Sequence, residues 1–513
     1  MKELKLAIAF AMLLALLVSI PTGMAATEEE INESITAGVA WLAEQQNPDG
    51  SWGIDEKVAH TGFAVLKLTD RAKELGYEGP FDPDYEYSDN VTSGVAYMES
   101  QMQIVDITGD PADKNENNES IKVSNSWGFH QSYNTAIALM AFANLHNSTY
   151  EEKVQDMTDW FIFTQNPDGG WRYTGVQEPS DNSNTGYVVL GLAYAEDAGA
   201  DVGDVRVGLN DWINTIQDPV NGDADDGGSW YTASWQWVNS LKTGNLIFEM
   251  GFVGDDTDTQ RMQDAIDYLE RHWNDVGIGN INDVGWKPNH YQAMYAIMKG
   301  LEYNGIETLE VDGSEVDWFD NFSDVIVDTQ NPDGSWPSDP WDYESKPILS
   351  TEWALLTLEK TTPVKVIDVS LDVKPSSCPN PINVDSKGVL PIAIAGSEDF
   401  DVTQIDPATV ELGIIDEDGN LVGVSPLRWS YEDVTCPYFS EDDDPCCIEN
   451  QPDGITDLSM KFKTQELVEI AGLEDYAGET INLTVTGMTV DGLPIMGQDC
   501  VRIQEAIKKG KNK

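Results

Sequence analysis

The sequence predicts a ring of about six pairs of α-helices over residues 27–362, followed by a β-sandwich over residues 363–507. Two observations predict the ring: a near-identical turn motif recurs along it, and surface-type and buried-type helical patterns alternate between the copies. One observation predicts the sandwich: beyond residue 362 the apolar period changes from three or four residues to two.

The repeated motif has the form Gln-Asn-Pro-Asp-Gly-Ser-Trp. Asn-Pro ends a helix because the residue before proline is disfavoured in the α region, and Asp-Gly makes a tight turn. Burying an indole removes roughly 150–250 Å² from water, so the motif tryptophans are predicted to be structural staples. Near-identical, longer and degenerate copies together supply six such tryptophans: Trp52, Trp127, Trp171, Trp230, Trp286 and Trp336.

Each motif lies between two kinds of helix. The segments before it, such as Ile35–Leu42 and Met157–Phe163, carry one apolar stripe, which is typical of a surface helix. The segments after it are apolar on all sides and therefore predict buried helices, so that six inner helices face six outer ones. These segments are Thr61–Leu68, Thr135–Ala143, Thr185–Ala195, Gly244–Met250, Tyr291–Leu301 and Thr351–Leu358.

The net charge and the amino-terminal segment together predict the localisation of the protein. The formal net charge is −61, from 90 acidic and 29 basic residues, and this excludes nucleic acids and anionic membranes as partners. Residues 1–26 have a charged start, an apolar stretch and a small-residue end, which predicts a secretory signal peptide; an uncleaved signal anchor is the alternative. The basic tail, residues 508–513, is not a hydrophobic anchor. We expect a secreted or cell-surface protein.

Two further features fit export. All the cysteines follow residue 377, so they predict either two disulfides with one spare thiol or, alternatively, a zinc site; these are Cys378, Cys436, Cys446, Cys447 and Cys500. No zinc is expected in the helical part, which contains no cysteine. Glycosylation sequons, which predict a glycoprotein, begin at Asn32, Asn90, Asn118, Asn147, Asn321 and Asn482.

The Gln…Gly-Ser-Trp repeats resemble the QW repeats of squalene and oxidosqualene cyclases, within the terpenoid cyclase and protein prenyltransferase superfamily. The resemblance covers about two thirds of the chain and implies an α/α toroid. The resemblance is less informative about the reaction than about the fold, because one fold hosts many functions. Prenyltransferases of this kind need a zinc site with a cysteine ligand, which the helical part cannot supply.

Squalene-type cyclases resemble this chain in one further string, an Asp-x-Asp-Asp acid that protonates an alkene. Asp223-Ala224-Asp225-Asp226 matches it, and clustered carboxylates raise one another's pKa, as a proton donor requires. The string lies in a glycine-rich loop within the fourth motif, however. A solvated or calcium-binding loop is therefore the alternative to catalysis by Asp223, Asp225 and Asp226.

Polar and aromatic residues gather where the predicted inner helices begin. Threonines and asparagines there can be helix caps, but they meet at one end of the predicted ring, where a pocket is expected. Aromatic and polar groups together suit a sugar polymer better than an isoprenoid. By resemblance to toroidal polysaccharide lyases, a base there would be Arg172, Lys287 or His290. The predicted binding rim is His60, Thr61, His130, Tyr173, Tyr291, Trp341 and Glu352.

The β part carries a run of oxygen-bearing residues between two of its strands. Residues 449–457 resemble the Asp-x-Asn-x-Asp-Gly-x-x-Asp pattern of an accessory domain of exported microbial proteins. Alternating oxygens with a glycine in the turn suit calcium, which predicts ligands at Glu449, Gln451, Asp453 and Asp457. A plain hairpin turn is the alternative.

Three functions follow from these features. The leading hypothesis is a secreted toroid that binds or cleaves an extracellular glycan. The alternatives are a terpene-cyclase-like enzyme and a non-catalytic structural protein of the cell surface.

Overall fold

The computed structural model describes residues 25–124, 129–176, 179–277, 284–338, 347–363, 367–377, 380–397, 400–415, 421–437, 452–490 and 493–504. Most of the predicted signal peptide lies outside these ranges, as do Trp127, Trp341, Glu449 and Gln451. Among the described helices, none is both long enough and apolar enough to cross a membrane.

Twelve α-helices precede residue 363 in the described ranges, and their burial alternates as predicted. The odd-numbered helices keep an exposed face: α1 (Glu28–Glu44), α3 (Ser88–Ser100), α5 (Glu151–Thr164), α7 (Val205–Ile216), α9 (Gln260–His272) and α11 (Trp318–Thr329). The even-numbered helices are buried along most of their length: α2 (Lys57–Glu74), α4 (Gln131–Asn144), α6 (Asn182–Asp197), α8 (Ser240–Phe252), α10 (Tyr291–Tyr303) and α12 (Ile348–Leu358). Every predicted buried segment lies within an even-numbered helix.

The chain divides into two compact units. The first comprises Met1–Tyr97, Ile216–Ile247 and Thr257–Thr361, and the second comprises Met98–Thr215, Phe248–Asp256 and Thr362–Lys513. Each contains one antiparallel hairpin that the sequence did not predict. Strands β1 (Met102–Asp106) and β2 (Glu119–Val123) belong to the second unit, and β3 (Thr308–Val311) and β4 (Ser314–Asp317) to the first.

The motif glutamines join four of the repeats to the odd-numbered helix that follows. In each of four motifs, the side-chain amide donates one hydrogen bond to the glycine carbonyl of its own motif and a second to a backbone carbonyl of the next odd-numbered helix. The motif of Gln330 uses α1 as its next helix, so the last repeat binds the first. The second acceptors are Asn90 for Gln46, Val205 for Gln165, Arg261 for Gln217 and Ser34 for Gln330, at 2.8–2.9 Å.

The motif glycines allow this close approach. Gly334 has a φ of +96°, and a Cβ on it would lie 2.4 Å from the carbonyl oxygen of Ala37 on α1. Gly50, Gly169 and Gly227 also have positive φ and equally close carbonyl neighbours. A side chain here would be strained by its own backbone conformation and would also clash, which explains why the motif keeps glycine.

The motif tryptophans act as the predicted staples in three repeats. The indole nitrogens of Trp52, Trp171 and Trp336 donate to the carbonyl ten residues earlier, at 2.6–3.0 Å, and all three side chains are fully buried. Their backbone N–H groups donate to a threonine hydroxyl of the following even-numbered helix, at 3.0–3.1 Å; the acceptors are Thr61, Thr185 and Thr351. Trp286 is also buried and packs against Trp273 and Phe322.

The fourth motif is shifted by one residue from the predicted alignment. Ser229, not Trp230, donates its backbone N–H to the helix threonine, Thr243, at 3.1 Å. The indole of Trp230 binds the carboxylate of Asp218 at 2.5 Å instead. In the second repeat, Val123 makes the equivalent bond, while the predicted Trp127 lies outside the described residues. The alignment predicted from residue spacing was wrong for these two repeats, because the connecting loops differ in length.

Beyond residue 366, two sheets enclose one apolar core within the second unit, as predicted. The elements are β5 (Ile367–Asp368), β6 (Leu371–Val373), β7 (Pro381–Asn383), β8 (Val389–Ile394), β9 (Ile405–Ile415), β10 (Leu421–Val424), β11 (Arg428–Glu432), β12 (Asp457–Lys463), α13 (Thr464–Ile470), β13 (Thr480–Thr489) and β14 (Pro494–Gln504). The first sheet has the order β10-β9-β13-β14-β5, with β7 also pairing with β14, and the second has the order β11-β12-β8-β6. Ile392, Leu412, Phe462 and Val485 are fully buried between the sheets. Cys500 is disulfide-bonded, which favours the disulfide interpretation over a zinc site.

Candidate functional site

An exposed group of aromatic rings precedes α4 and α6 in the second unit. The rings of Phe129 and Tyr173 are stacked, with centroids 5.3 Å apart and planes 18° apart, and the ring of His130 is 4.5 Å from Phe129. Phe129 is 51% exposed. These three residues, here called the aromatic platform, therefore present apolar surface to solvent at the start of two buried helices.

Backbone and cation contacts hold the platform in place. The N–H of Ser132, in the first turn of α4, donates to the carbonyl of Tyr173 at 3.1 Å. The guanidinium of Arg172 lies 5.5 Å from the centroid of the Tyr173 ring and donates to the carbonyl of Pro179 at 2.6 Å. Cation–π contacts of this kind add to ring packing. The platform is thus preorganised.

A buried carboxylate lies beside the platform at the start of α6. Asp181 caps this helix by accepting the N–H of Asn184 at 2.9 Å, and the Asn184 amide also donates to both of its oxygens. Burial raises the pKa of Asp181, and Arg172, whose Nε is 3.9 Å away, opposes that rise. Asp181 therefore orients Asn184 and Arg172.

Three buried polar atoms around the platform have no hydrogen-bond partner among the described residues: Ser132 Oγ, Asn184 Oδ1 and Arg172 Nε. A buried polar group without a partner costs about 1–3 kcal/mol. They comprise one hydroxyl, one acceptor and one donor. An apolar stacking surface next to unsatisfied polar groups is the combination that binds a sugar ring, which has an apolar face and a rim of hydroxyls.

Three of the predicted site residues therefore lie together in this site: His130, Tyr173 and Arg172. Arg172 does not fit its predicted part as a base, because a guanidinium stays protonated in proteins. Sequence reasoning missed Phe129 and Ser132. The signal for Phe129 was available, since an apolar residue directly before a helix start, next to His130, had no predicted core to enter.

His60 and Glu352 of the predicted rim form a buried pair in the first unit. Nδ1 of His60 lies 2.9 Å from Oε2 of Glu352, and the pair joins α2 to α12. Lys67 and Glu359 join the same two helices one heptad further along. Burial lowers the pKa of Lys67 to about 8. The two pairs line a helix–helix contact, where their side chains are buried.

Thr61 and Tyr291 of the predicted rim have structural contacts instead. The Thr61 hydroxyl accepts the N–H of Trp52 and donates to the carbonyl of Lys57. Tyr291 is fully buried, and its hydroxyl donates to Thr329 on α11 at 2.9 Å. The threonines that accept the motif N–H groups are not helix caps either, since each is the fourth or fifth residue of its helix.

The two other candidate bases belong to the fifth repeat. His290 is 4% exposed and occupies the N-cap position of α10 without a capping hydrogen bond from its side chain. Lys287 donates to the Asn274 side chain at 2.7 Å and lies 5.1 Å from the ring of Trp286, and partial burial lowers the pKa of Lys287. A lowered pKa suits a lysine base, so its catalytic assignment stays a prediction.

The Asp-x-Asp-Asp string forms a surface turn. Asp226 accepts the N–H groups of Asn221, Gly222 and Asp223, which lowers the pKa of Asp226. Asp223 is exposed and Asp225 is partly exposed. This geometry favours the loop interpretation over a proton donor, which needs a raised pKa in a dry cavity. Carboxylate oxygens of Asp218, Asp223 and Asp226 lie within 4.8 Å of one another, as a loop that binds a cation would require.

Two of the predicted calcium ligands lie in the described residues. Asp457 is fully buried and accepts three backbone N–H groups, from Gly396, Val434 and Thr435, at 2.7–3.0 Å. Asp453 is exposed and accepts the N–H of Ile455. Asp457 thus ties loops to β12, and calcium binding remains a prediction.

No family model matches the chain, and no curated protein matches it. Solved structures do. A type II terpene cyclase from Scytonema is 14% identical over 65% of this chain and 97% of its own, with a TM-score of 0.41. An α-1,6-mannanase from Salegentibacter is 10% identical over 64% and 100%, with a TM-score of 0.45. A family 76 mannosidase from Bacteroides thetaiotaomicron is 9% identical over 64% and 97%, with a TM-score of 0.44. These likenesses concern helical architecture and carry no conclusion about activity.

Proposed function

We propose that this chain is an exported protein whose helical repeats close into an α/α toroid and bind an extracellular glycan at the aromatic platform. The observation that carries this proposal is the half-exposed Phe129 ring, stacked on Tyr173 beside buried polar atoms that have no partner among the described residues. The bond from Gln330 to α1 supports closure of the toroid.

The site can contact both the apolar C–H face of a sugar ring and its hydroxyl groups. Aromatic rings bury a large apolar area with little loss of conformational freedom, so the C–H face of a pyranose can cover Phe129. Arg172, which is partly exposed and lies beside the ring of Tyr173, then supplies N–H donors for the sugar hydroxyls.

Charge narrows the class of glycan. A protein with a net charge of −61 repels uronates and sulfated sugars over most of its surface. Beside the platform, Arg172 contributes one fixed cation, which Asp181 already partly neutralises. We therefore favour a neutral polysaccharide over an acidic one.

The experiment is a binding screen of the mature chain, from residue 27, against neutral oligosaccharides by isothermal titration calorimetry. We expect Phe129→Ala and Tyr173→Ala each to weaken binding about tenfold or more, the equivalent of ~1.4 kcal/mol. Ser132→Ala should weaken it less. Phe163→Ala is the matched control, because Phe163 is 39% exposed on α5 and outside the platform. Absence of binding to every glycan, or equal affinity in the Phe129 variant, would leave the structural-protein alternative.

A further inference from the structure

Strand β11 is an exposed edge with an unusual side-chain pattern. Among the described strands it pairs only with β12, and all five of its residues are exposed. Trp429 is 47% and Tyr431 is 42% exposed, although each stands opposite a fully buried residue of β12, Met460 and Leu458 respectively. Cross-strand partners lie on the same face of a sheet. Trp429 and Tyr431 are therefore on the face that forms the apolar core at β12, but they remain exposed on β11.

The charged residues of β11 face like charges within their own sheet. Arg428 stands opposite Lys461, and Glu432 stands opposite Asp457. Neither Arg428 nor Lys461 makes an ion pair among the described residues, in a chain with about three acidic residues for each basic one. Like charges directly opposite one another destabilise a sheet. Among the described residues, Arg428 and Glu432 therefore have no opposite charge across the sheet, and the strand that carries them is exposed.

We propose that β11 pairs antiparallel with β11 of a second copy of this chain, about a two-fold axis at Ser430. In that register Arg428 of each copy stands opposite Glu432 of the other, and Trp429 stands opposite Tyr431. Each charge then gains an opposite neighbour across the interface, and each aromatic ring is covered by another. A two-fold interface requires this self-complementarity, and the sequence Arg-Trp-Ser-Tyr-Glu has it.

The same pattern favours a second copy over other occupants. A net charge of −61 repels a like molecule over most of the surface, so association of two copies is favoured where the local charge is balanced. Strand β11, with one cation and one anion, is such a place. Pairing also satisfies the backbone N–H and C=O groups of the open edge.

The test is sedimentation of the mature full chain over a concentration series up to roughly 100 μM, since a small interface associates weakly, at about 0.15 M salt. We expect a reversible dimer. Arg428→Glu and Glu432→Arg should each weaken dimerisation about tenfold. The double variant should restore it, because the reversed charges complement each other between copies. Trp429→Lys should abolish it.

Two controls separate association from folding. Arg502→Glu makes the same charge change at an exposed position of β14 and should leave the dimer intact. Arg428→Glu places opposite charges across from each other within one chain, so its sandwich should unfold no earlier than wild type while the dimer weakens. A monomeric wild type at every concentration overturns the proposal, and so does a double variant no better associated than the single ones.

Discussion

Replacing Gly334 with alanine tests the contact between the last repeat and the first helix. Gly334 has a φ of +96°, where an L-residue costs about 1–2 kcal/mol. Its new Cβ would lie 2.4 Å from the carbonyl oxygen of Ala37, well inside the 3.4 Å at which ordinary contact begins. Overpacking of this kind costs ~1–3 kcal/mol. We therefore expect Gly334→Ala to lower the free energy of unfolding of the helical part by about 2–5 kcal/mol.

Gly254→Ala is the matched control. Gly254 has nearly the same φ, +98°, but no heavy atom lies within 4 Å of its Cβ position. Gly254→Ala should therefore lower the free energy of unfolding only by the cost of the strained backbone conformation, about 1–2 kcal/mol. The difference between the two variants measures the contact with α1 by itself.

Urea unfolding is the assay, followed by circular dichroism at the helical band and by tryptophan fluorescence. A chain with separate helical and β parts need not unfold in one step, so the midpoint of the helical transition is compared. Equal midpoints for the two variants would refute the close approach of Gly334 to α1, and with it the structural argument for ring closure.

Three further predictions concern other parts of the chain. Thr351→Val should destabilise the helical part by about 1–3 kcal/mol, because it leaves the buried N–H of Trp336 without an acceptor. Thr357→Val removes only a bond to a carbonyl within its own helix and should cost much less stability. Thermal unfolding of the two variants checks both expectations. Burial raises the pKa of Asp499 to about 6, above its unfolded value, so stability should fall as pH rises from about 4 to 6; Asp499→Asn should flatten that fall in pH-dependent melting. Calcium should raise the melting temperature of the sandwich more than sodium at equal ionic strength, and Asp453→Ala should abolish the calcium-specific part; equal responses to the two cations would indicate an ordinary turn.

The sequence by itself determined the repeat and its mechanical basis. Proline after asparagine, glycine in the turn and a large buried indole have the same local consequences wherever they occur. The helix order, the buried segments and the packing of Trp52, Trp171 and Trp336 were therefore predictable. The change of apolar period beyond residue 362 predicted the sheets for the same reason, since side-chain period is a local property of the backbone.

Only the tertiary structure decided which polar residues are available to a ligand. Thr61 lies just inside an even-numbered helix and Phe129 just before one, yet the Thr61 hydroxyl accepts the N–H of Trp52, whereas the exposed Phe129 ring stacks on Tyr173. Residue type and spacing cannot distinguish these outcomes, because each depends on a partner far away in sequence. The one-residue shift of the fourth motif has the same cause. Ser229 takes the motif position in place of Trp230 because its N–H donates to Thr243, a contact that the local sequence does not reveal.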